Sequence, residues 1–371
     1  MASLFVVATP LQMLTAQQII RQENIQDAVL LESYFSLHPE FLDSYDVCRI
    51  DKCWKKILNP VCDFYSWDNG GVNLLSTAIP TWKRYCKIKQ MLIDNSIDTI
   101  YLADYQNQTY RFMTFLFAKQ GFKVNYYEEG YSHYVPRFCN LHDSWVWKLK
   151  DALLDFIYYI PVYHIRFASW RSQPNRPYRG MPINRRYSIV PGFLNESYDY
   201  RLYCKPMMSD KLNELLSDSI GKTLSNKKIY LLLSDPMSEV LYSEYKYLYF
   251  DVIKETVKQF SNDDILYIKF HPREPKESID KTIEILQKLG VRYHVLDFKV
   301  NIPVEYLLLN THFEEIFVFN TSTFFYNGYL FPRCKFTQLL PSLLQKCLQA
   351  KAPNENIIQI RLLIDRMNAI S

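Results

Sequence analysis

Two short stretches hold the residue types best suited to moving a group between oxygen atoms. One is the acid pair Glu128-Glu129 ahead of Gly130; the other is His271-Pro272, flanked by Lys269 and Arg273. Each follows a strand-like run, Phe122–Tyr127 in the first case and Ile265–Phe270 in the second. A carboxylate at a strand end could accept a proton from a substrate hydroxyl, help that contributes on the order of 10²–10⁴ in rate. A protonated His271 could donate a hydrogen bond or a proton to a departing phosphate, and Lys269 and Arg273 make the same strand end an anion site. Both stretches also have plainer readings. The acids could form a solvent-facing turn that caps a helix, and since adjacent residues do not point the same way, only one of them would face a cleft. His271 could be a buried structural histidine before a turn. The dipeptide alone is weak, because His38-Pro39 repeats it without a β-branched run before it.

Three further groups sit at the ends of predicted elements. Ser234-Asp235-Pro236 closes the run Lys228–Ser234, with Ser238 and Glu239 beginning the next helix, and Asn320-Thr321-Ser322-Thr323 closes Glu315–Phe319. Hydroxyls and free amides at such helix starts can bind phosphate without a glycine loop, and they can equally be plain N-caps. Glu305, after Pro303, is either a carboxylate favoured by the dipole at a helix start or a ligand for a ribose diol. With no Asp-x-Asp at a strand end, no C-x-x-C and no zinc-type His spacing, no metal site is expected.

The elements that must position these residues alternate. Leu4–Ala8 reads as a strand, Thr9 as a cap and Pro10 as the first residue of a helix with Leu11, Leu14, Ile19 and Ile20 on its apolar face. Strands follow at Ala28–Leu31, Thr99–Ala103 and Lys123–Tyr127, with helices at Thr81–Ile93 and Tyr110–Lys119. The rhythm returns with strand Lys228–Ser234, helix Leu241–Gln259, strand Ile265–Phe270, helix Lys276–Leu289 and strands Val291–Leu296 and Glu315–Phe319; a last helix, Asn356–Met367, could pack back on the first domain. Such alternation predicts an α/β architecture of parallel sheets covered on both faces, with ligands outside the carboxyl ends of the strands. Residues 1–150 and 227–371 are expected to form two Rossmann-like doubly wound domains facing a central cleft, with 151–226 as an inter-domain helical and basic region.

At 371 residues the chain exceeds one ordinary core, and 48% hydrophobic with 22% charged residues excludes a disordered or coiled-coil protein. Nine glycines among 29 Tyr and 23 Phe fit the absence of G-x-G-x-x-G and G-x-x-x-x-G-K-[ST] loops. A net charge of +4 does not imply a nucleic-acid partner. The charge is uneven, however: Arg166, Arg171, Arg176, Arg179, Arg185 and Arg186 run without an acid, with Trp170 and Tyr178 between them. That stretch reads as a solvated basic loop or as a surface for an anionic membrane or glycan. The eight cysteines read as reduced core thiols. The N-terminus lacks a basic region and a small-residue cleavage site, and Ala152–Tyr163 is too short to span a bilayer, so cytoplasmic residence is expected, with peripheral contact with the inner membrane and a homodimer left open.

Glu128-Glu129-Gly130 and His271-Pro272 resemble the acidic-acidic-Gly and His-Pro motifs of the bacterial sialyltransferases. Within that group, Ala8-Thr9-Pro10-Leu11-Gln12 and Ser234-Asp235-Pro236-Met237-Ser238-Glu239 look most like glycosyltransferase family 52, which acts on lipooligosaccharide and O-antigen. The resemblance implies a GT-B fold and inverting, metal-independent transfer of sialic acid from CMP-sialic acid, without a cofactor, to a lipid-linked or lipooligosaccharide glycan, with galactose as the expected acceptor. It makes Glu129 the general base, with Glu128 as the alternate, and sets His271 on the CMP phosphate. Glu305 would meet the cytidine ribose and Ser322 with Thr323 the phosphate; Lys269, Pro272, Arg273, Ser234, Asp235, Thr9, Gln12 and Gly130 would complete the substrate site. This chain departs from the pattern in having Glu-Glu where many relatives have Asp-Asp, and Ser-Thr where they have Ser-Ser. A glucosyltransferase of the same fold, a polysialyltransferase and a non-catalytic glycan- or membrane-binding protein are the competing readings.

Overall fold

The computed structural model describes residues 2–7, 10–32, 53–58, 74–103, 108–128, 145–164, 181–190, 199–202, 227–271, 274–296 and 304–370. The chain divides into two compact units, Met1–Ser209 and Asp210–Ser371.

In the first unit the strands are β1 (Ala2–Val7), β2 (Ala28–Glu32), β3 (Lys56–Leu58), β4 (Ile97–Ala103), β5 (Lys123–Tyr127), β6 (Arg185–Ser188) and β7 (Asp199–Arg201). They form one sheet in the order β3-β2-β1-β4-β5-β6-β7, with every pairing parallel. Parallel strands need crossovers, and helices α1 (Pro10–Gln22), α2 (Leu74–Asp94) and α3 (Gln108–Lys119) supply them. Because both faces are covered, β1 and β4 are near-continuous apolar runs: Leu4, Phe5, Val6, Val7, Ile100 and Leu102 are buried. Pro10 opens α1, as the sequence predicts. Helix α2 starts seven residues before the predicted Thr81 and runs through Pro80, a residue that locally reads as a helix start because it lacks an amide hydrogen.

The stretch assigned from sequence to an inter-domain region is different in the structure. Helix α4 (Trp145–Leu154) continues through a π-helical turn, Asp155–Tyr159, into α5 (Ile160–Tyr163), and β6 and β7 then extend the first sheet. Arg186 forms a two-pronged pair with Asp199 on the neighbouring strand, Nε–Oδ1 2.6 Å and Nη2–Oδ2 2.8 Å, with both side chains buried. Arg185 pairs with Glu23 and lies 4.5 Å over the Tyr200 ring. These two arginines therefore hold strands together rather than face a membrane or glycan; Arg166, Arg171, Arg176 and Arg179 lie outside the described residues. One sheet face carries a row of rings: Phe5 stacks on Tyr101 at 4.2 Å, Tyr101 meets Tyr187 at 6.0 Å across Asn125, and Tyr187 meets Tyr200 at 5.8 Å. Part of the tyrosine excess is core material.

In the second unit β8 (Ile229–Leu233), β9 (Ile265–Lys269), β10 (Tyr293–Val295), β11 (Glu315–Val318) and β12 (Phe336–Gln338) form a parallel sheet in the order β10-β9-β8-β11-β12. Its helices are α6 (Tyr247–Val257), α7 (Lys276–Lys288), α8 (Val304–Asn310), α9 (Asn327–Leu330), α10 (Leu340–Gln349) and α11 (Asn354–Ile370). The helix predicted over Leu241–Gln259 forms only over Tyr247–Val257, preceded by two 3₁₀ turns, Met237–Glu239 and Ser243–Tyr245. Helix α11 packs on α10 of its own unit and Asn356 Nδ2 donates to Val240 O at 2.8 Å. Both sheets run outward from their first strand in one direction and then reverse, so both units are Rossmann-like and doubly wound, the composition of a GT-B protein. Of the cysteines described, all free, Cys347 is buried but Cys86 is exposed, so the reading of core thiols does not extend to Cys86.

Candidate functional site

The strand order of the second unit reverses between β8 and β11, and a doubly wound sheet binds its ligand outside the strand ends at such a reversal. Four predicted residue groups meet there. Ser234 follows β8, Lys269 ends β9 with His271 two residues on, and Ser322 and Thr323 follow β11. Glu305 comes from α8, the helix that leads back into β11.

Ser234 is the hub of one side. Its amide donates to Lys269 O at 3.1 Å, its Oγ accepts from the His271 amide at 3.1 Å, and the same hydroxyl donates to Glu274 Oε2 at 3.1 Å. Glu274 is buried and donates its amide to His271 O at 2.8 Å. Tyr249 OH reaches Glu274 Oε1 at 3.5 Å. Burial, and then the negative charges of Glu274 and Asp235, push the Tyr249 phenol well above its ordinary pKa, so it stays a neutral donor. The His271 backbone is thus held by Ser234 and Glu274, with Tyr249 on the Glu274 carboxylate, while His271 itself is half-exposed. Sequence reasoning singled out Ser234 but missed Glu274; the signal was there in His271-Pro272-Arg273-Glu274, an acid three residues after the histidine.

The other side is built on Glu305. It is buried, and its Oε1 accepts from Thr323 Oγ1 at 2.7 Å. Thr323 Oγ1 in turn accepts from Thr321 Oγ1 at 3.2 Å, and Thr321 caps the 3₁₀ helix Ser322–Tyr326. Burial raises the Glu305 pKa; the Thr323 bond, its own backbone amide and the charge of Lys269 oppose that rise. Burial lowers the Lys269 pKa, and Glu305 opposes that in turn. A buried acid and a half-buried cation at a strand end, each costly to ionise, are perturbed titratable groups of the kind that cluster at functional sites. Thr323 is buried with its hydroxyl given to Glu305, so of the predicted Ser322-Thr323 pair Ser322 is the half-exposed member. Asp235 is also half-exposed. This arrangement can bind a group with both diol and anion character, the diol at Glu305 and the anion near Lys269 and His271.

In the first unit Glu128 is fully buried at the end of β5, and its Oε2 accepts from the Ile189 amide at 2.6 Å. Its own amide donates to Tyr187 O at 3.1 Å, so Glu128 stitches β5 to the chain beyond β6. Gln12 is fully buried on α1, among Thr15, Gln17 and Gln18. Thr9, Glu129, Gly130, Pro272 and Arg273 lie outside the described residues. Among the described residues no group of three or more His, Cys, Asp or Glu side chains could hold a metal ion, and no helix is long and apolar enough to cross a membrane.

Comparison with curated protein sequences finds no match. Among solved structures, the calicheamicin glycosyltransferase CalG4 is similar with a TM-score of 0.47 at 10% identity, over 99% of this chain and 94% of that one. Spinosyn rhamnosyltransferase SpnG, complexed with thymidine diphosphate, also has a TM-score of 0.47 at 10% identity, over 100% and 97%. The UDP-GlcNAc 2-epimerase of Methanocaldococcus jannaschii gives 0.47 at 11%, over 97% and 91%. None of these three likenesses bears on chemistry. The family model described as alpha-2,8-polysialyltransferase matches residues 3–340, across both units. It coincides with the sialyltransferase resemblance of the two motifs without reaching the narrower likeness to family 52, and by that match the chain belongs to the alpha-2,8-polysialyltransferase family and is a glycosyltransferase.

Proposed function

We propose that this protein transfers sialic acid from CMP-sialic acid to the terminal sugar of a lipooligosaccharide, O-antigen or capsule glycan, with inversion and without a metal ion. The observation that carries the reading is Glu305, a buried carboxylate held by Thr323 beside Lys269, at the strand-order reversal of the second unit. Glu305 is suited to a ribose diol, and His271 with Lys269 to the adjoining phosphate. Glu129 takes the proton from the acceptor hydroxyl, the bond between the anomeric carbon and the phosphate oxygen breaks, CMP departs, and the new glycosidic bond forms on the opposite face. The anomeric carbon of sialic acid is tertiary and bears a carboxylate. Its transfer therefore passes through an oxocarbenium-like state that needs leaving-group stabilisation and a positioned base more than a strong nucleophile. Since Glu128 is committed to the Ile189 amide, the base role falls to Glu129.

The experiment is incubation with CMP-sialic acid and an acceptor panel, with and without a chelator, followed by mass measurement, and calorimetry with CMP and UDP. Transfer that survives the chelator and heat with CMP alone support the reading; heat with UDP alone overturns it in favour of a glucosyltransferase. The family match favours one further reading of the acceptor, a sialic acid terminus extended repeatedly. A sialylated acceptor would then yield a ladder of products, where a single-addition enzyme yields one.

A further inference from the structure

A surface helix ordinarily turns its apolar stripe to the core. The run formed by α4 and the π turn packs Leu154 and Tyr159 against the core and also turns a second set of apolar side chains outward. Val146, Leu149, Leu153, Phe156 and Ile157 are 54%, 51%, 50%, 73% and 70% exposed, while Asp155 and Tyr159 are buried at 2% and 6%. At 3.6 residues per turn Val146, Leu149 and Leu153 of α4 fall within an arc of about 60°, and Phe156 and Ile157 continue the exposed apolar surface in the π turn while Asp155 is buried. Single exposed apolar residues are ordinary, but a row of five on one helical face marks a surface that something covers.

We propose that this face lies flat on an anionic lipid bilayer. Two observations choose lipid over other partners. From Trp145 to Gly180 the sequence has Lys148, Lys150, Arg166, Arg171, Arg176 and Arg179 against Asp151 and Asp155, and Asp155 points away from the stripe. A polyanionic glycan offers no apolar surface to cover Phe156 and Ile157. An anionic bilayer offers both, with apolar side chains sinking to the acyl boundary and cations meeting headgroups. From Val146 to Ile157 the stripe is about 16 Å long, roughly half of the bilayer's hydrocarbon thickness, which suits a helix in the interface plane rather than across it. The inference is independent of which sugar nucleotide the second unit binds.

The test is co-sedimentation of the full chain with phosphatidylcholine vesicles, with and without phosphatidylglycerol, beside a Phe156→Ser, Ile157→Ser variant. The wild type should pellet with the anionic vesicles and stay in solution with the neutral ones, and the double variant should partition about tenfold less. Both side chains are exposed, so the variant should keep its circular dichroism and melting temperature, and transfer to a soluble acceptor. Equal partition of the two proteins, or of one protein between the two vesicles, overturns the proposal. So does a variant that lowers the oligomeric mass while the wild type ignores vesicles, which would assign the face to a second copy of the chain.

Discussion

Each unit buries a carboxylate near the end of its sheet, and the two are used differently. Around β5, β6 and β7 of the first unit, charge is bound to the fold: Glu128 accepts from the Ile189 amide, and Arg186 grips Asp199 from strand to strand. Around β8, β9 and β11 of the second, Glu305 is bonded to the side chain of Thr323, and Glu274 to those of Ser234 and Tyr249. Hydroxyl partners leave a carboxylate able to exchange them for ligand hydroxyls, whereas a backbone amide on the neighbouring chain fixes it in place. Burial alone therefore does not mark an acid as available to a ligand; the nature of its partner bears on that as well.

The adjacent acids give the sharpest way to break this comparison. Glu129→Gln should cut turnover at least about tenfold, and up to the roughly 10²–10⁴ that a positioned base contributes, while Glu128→Gln stays near wild type. His271→Ala should fall at least about tenfold as well, with the fold intact by circular dichroism. Loss of activity in Glu128→Gln with normal Glu129→Gln would reverse the assignment. In the first unit, Asp199→Ala leaves Arg186 buried without its partner and should cost about 3–5 kcal/mol in denaturant unfolding.

Glu305→Gln tests the second unit through pH. Gln keeps an oxygen for Thr323 but cannot ionise. The folded pKa of Glu305 is raised above the ordinary 4.5, so the folded state holds this proton more tightly and the wild type loses stability as pH rises upward from 4.5. Below 4.5 the two proteins should melt alike, and toward neutrality the variant should gain relative to wild type while losing its stabilisation by CMP. A constant difference across pH would mean that Glu305 is no strained acid. The smallest effect is expected for Glu274→Gln, which weakens the bond to Ser234 beside His271: a drop in turnover of less than about tenfold, with CMP affinity retained.

The alternation of strands and helices that built both sheets was legible in the sequence wherever the runs were long and apolar, as in β1, β4, β5, β8 and β9. It failed at β6, because Arg185-Arg186-Tyr187-Ser188 reads as a basic loop. The partners that make it a strand, Glu23 and Asp199, are distant in sequence or lie beyond an unpatterned stretch. It failed at β3 and β12 because three residues have no period to read. At the candidate site, the placement of His271 and Ser234 after strands and of Glu305 at a helix start was legible because strand ends and helix starts announce themselves. Which acid of Glu128-Glu129 was committed to the backbone was not, since the amide that decides it belongs to Ile189, about 60 residues away.

The first sheet also sets an order on synthesis. Strand β6 pairs with β5, yet nearly sixty residues separate Tyr127 from Arg185. At about 5–20 residues per second, the ribosome needs roughly 3–12 s to deliver the missing neighbour. Throughout that interval a nascent chain that has already assembled β1, β4 and β5 presents the unpaired hydrogen-bonding edge of β5 to whatever else is in reach, a template for misassociation until β6 arrives.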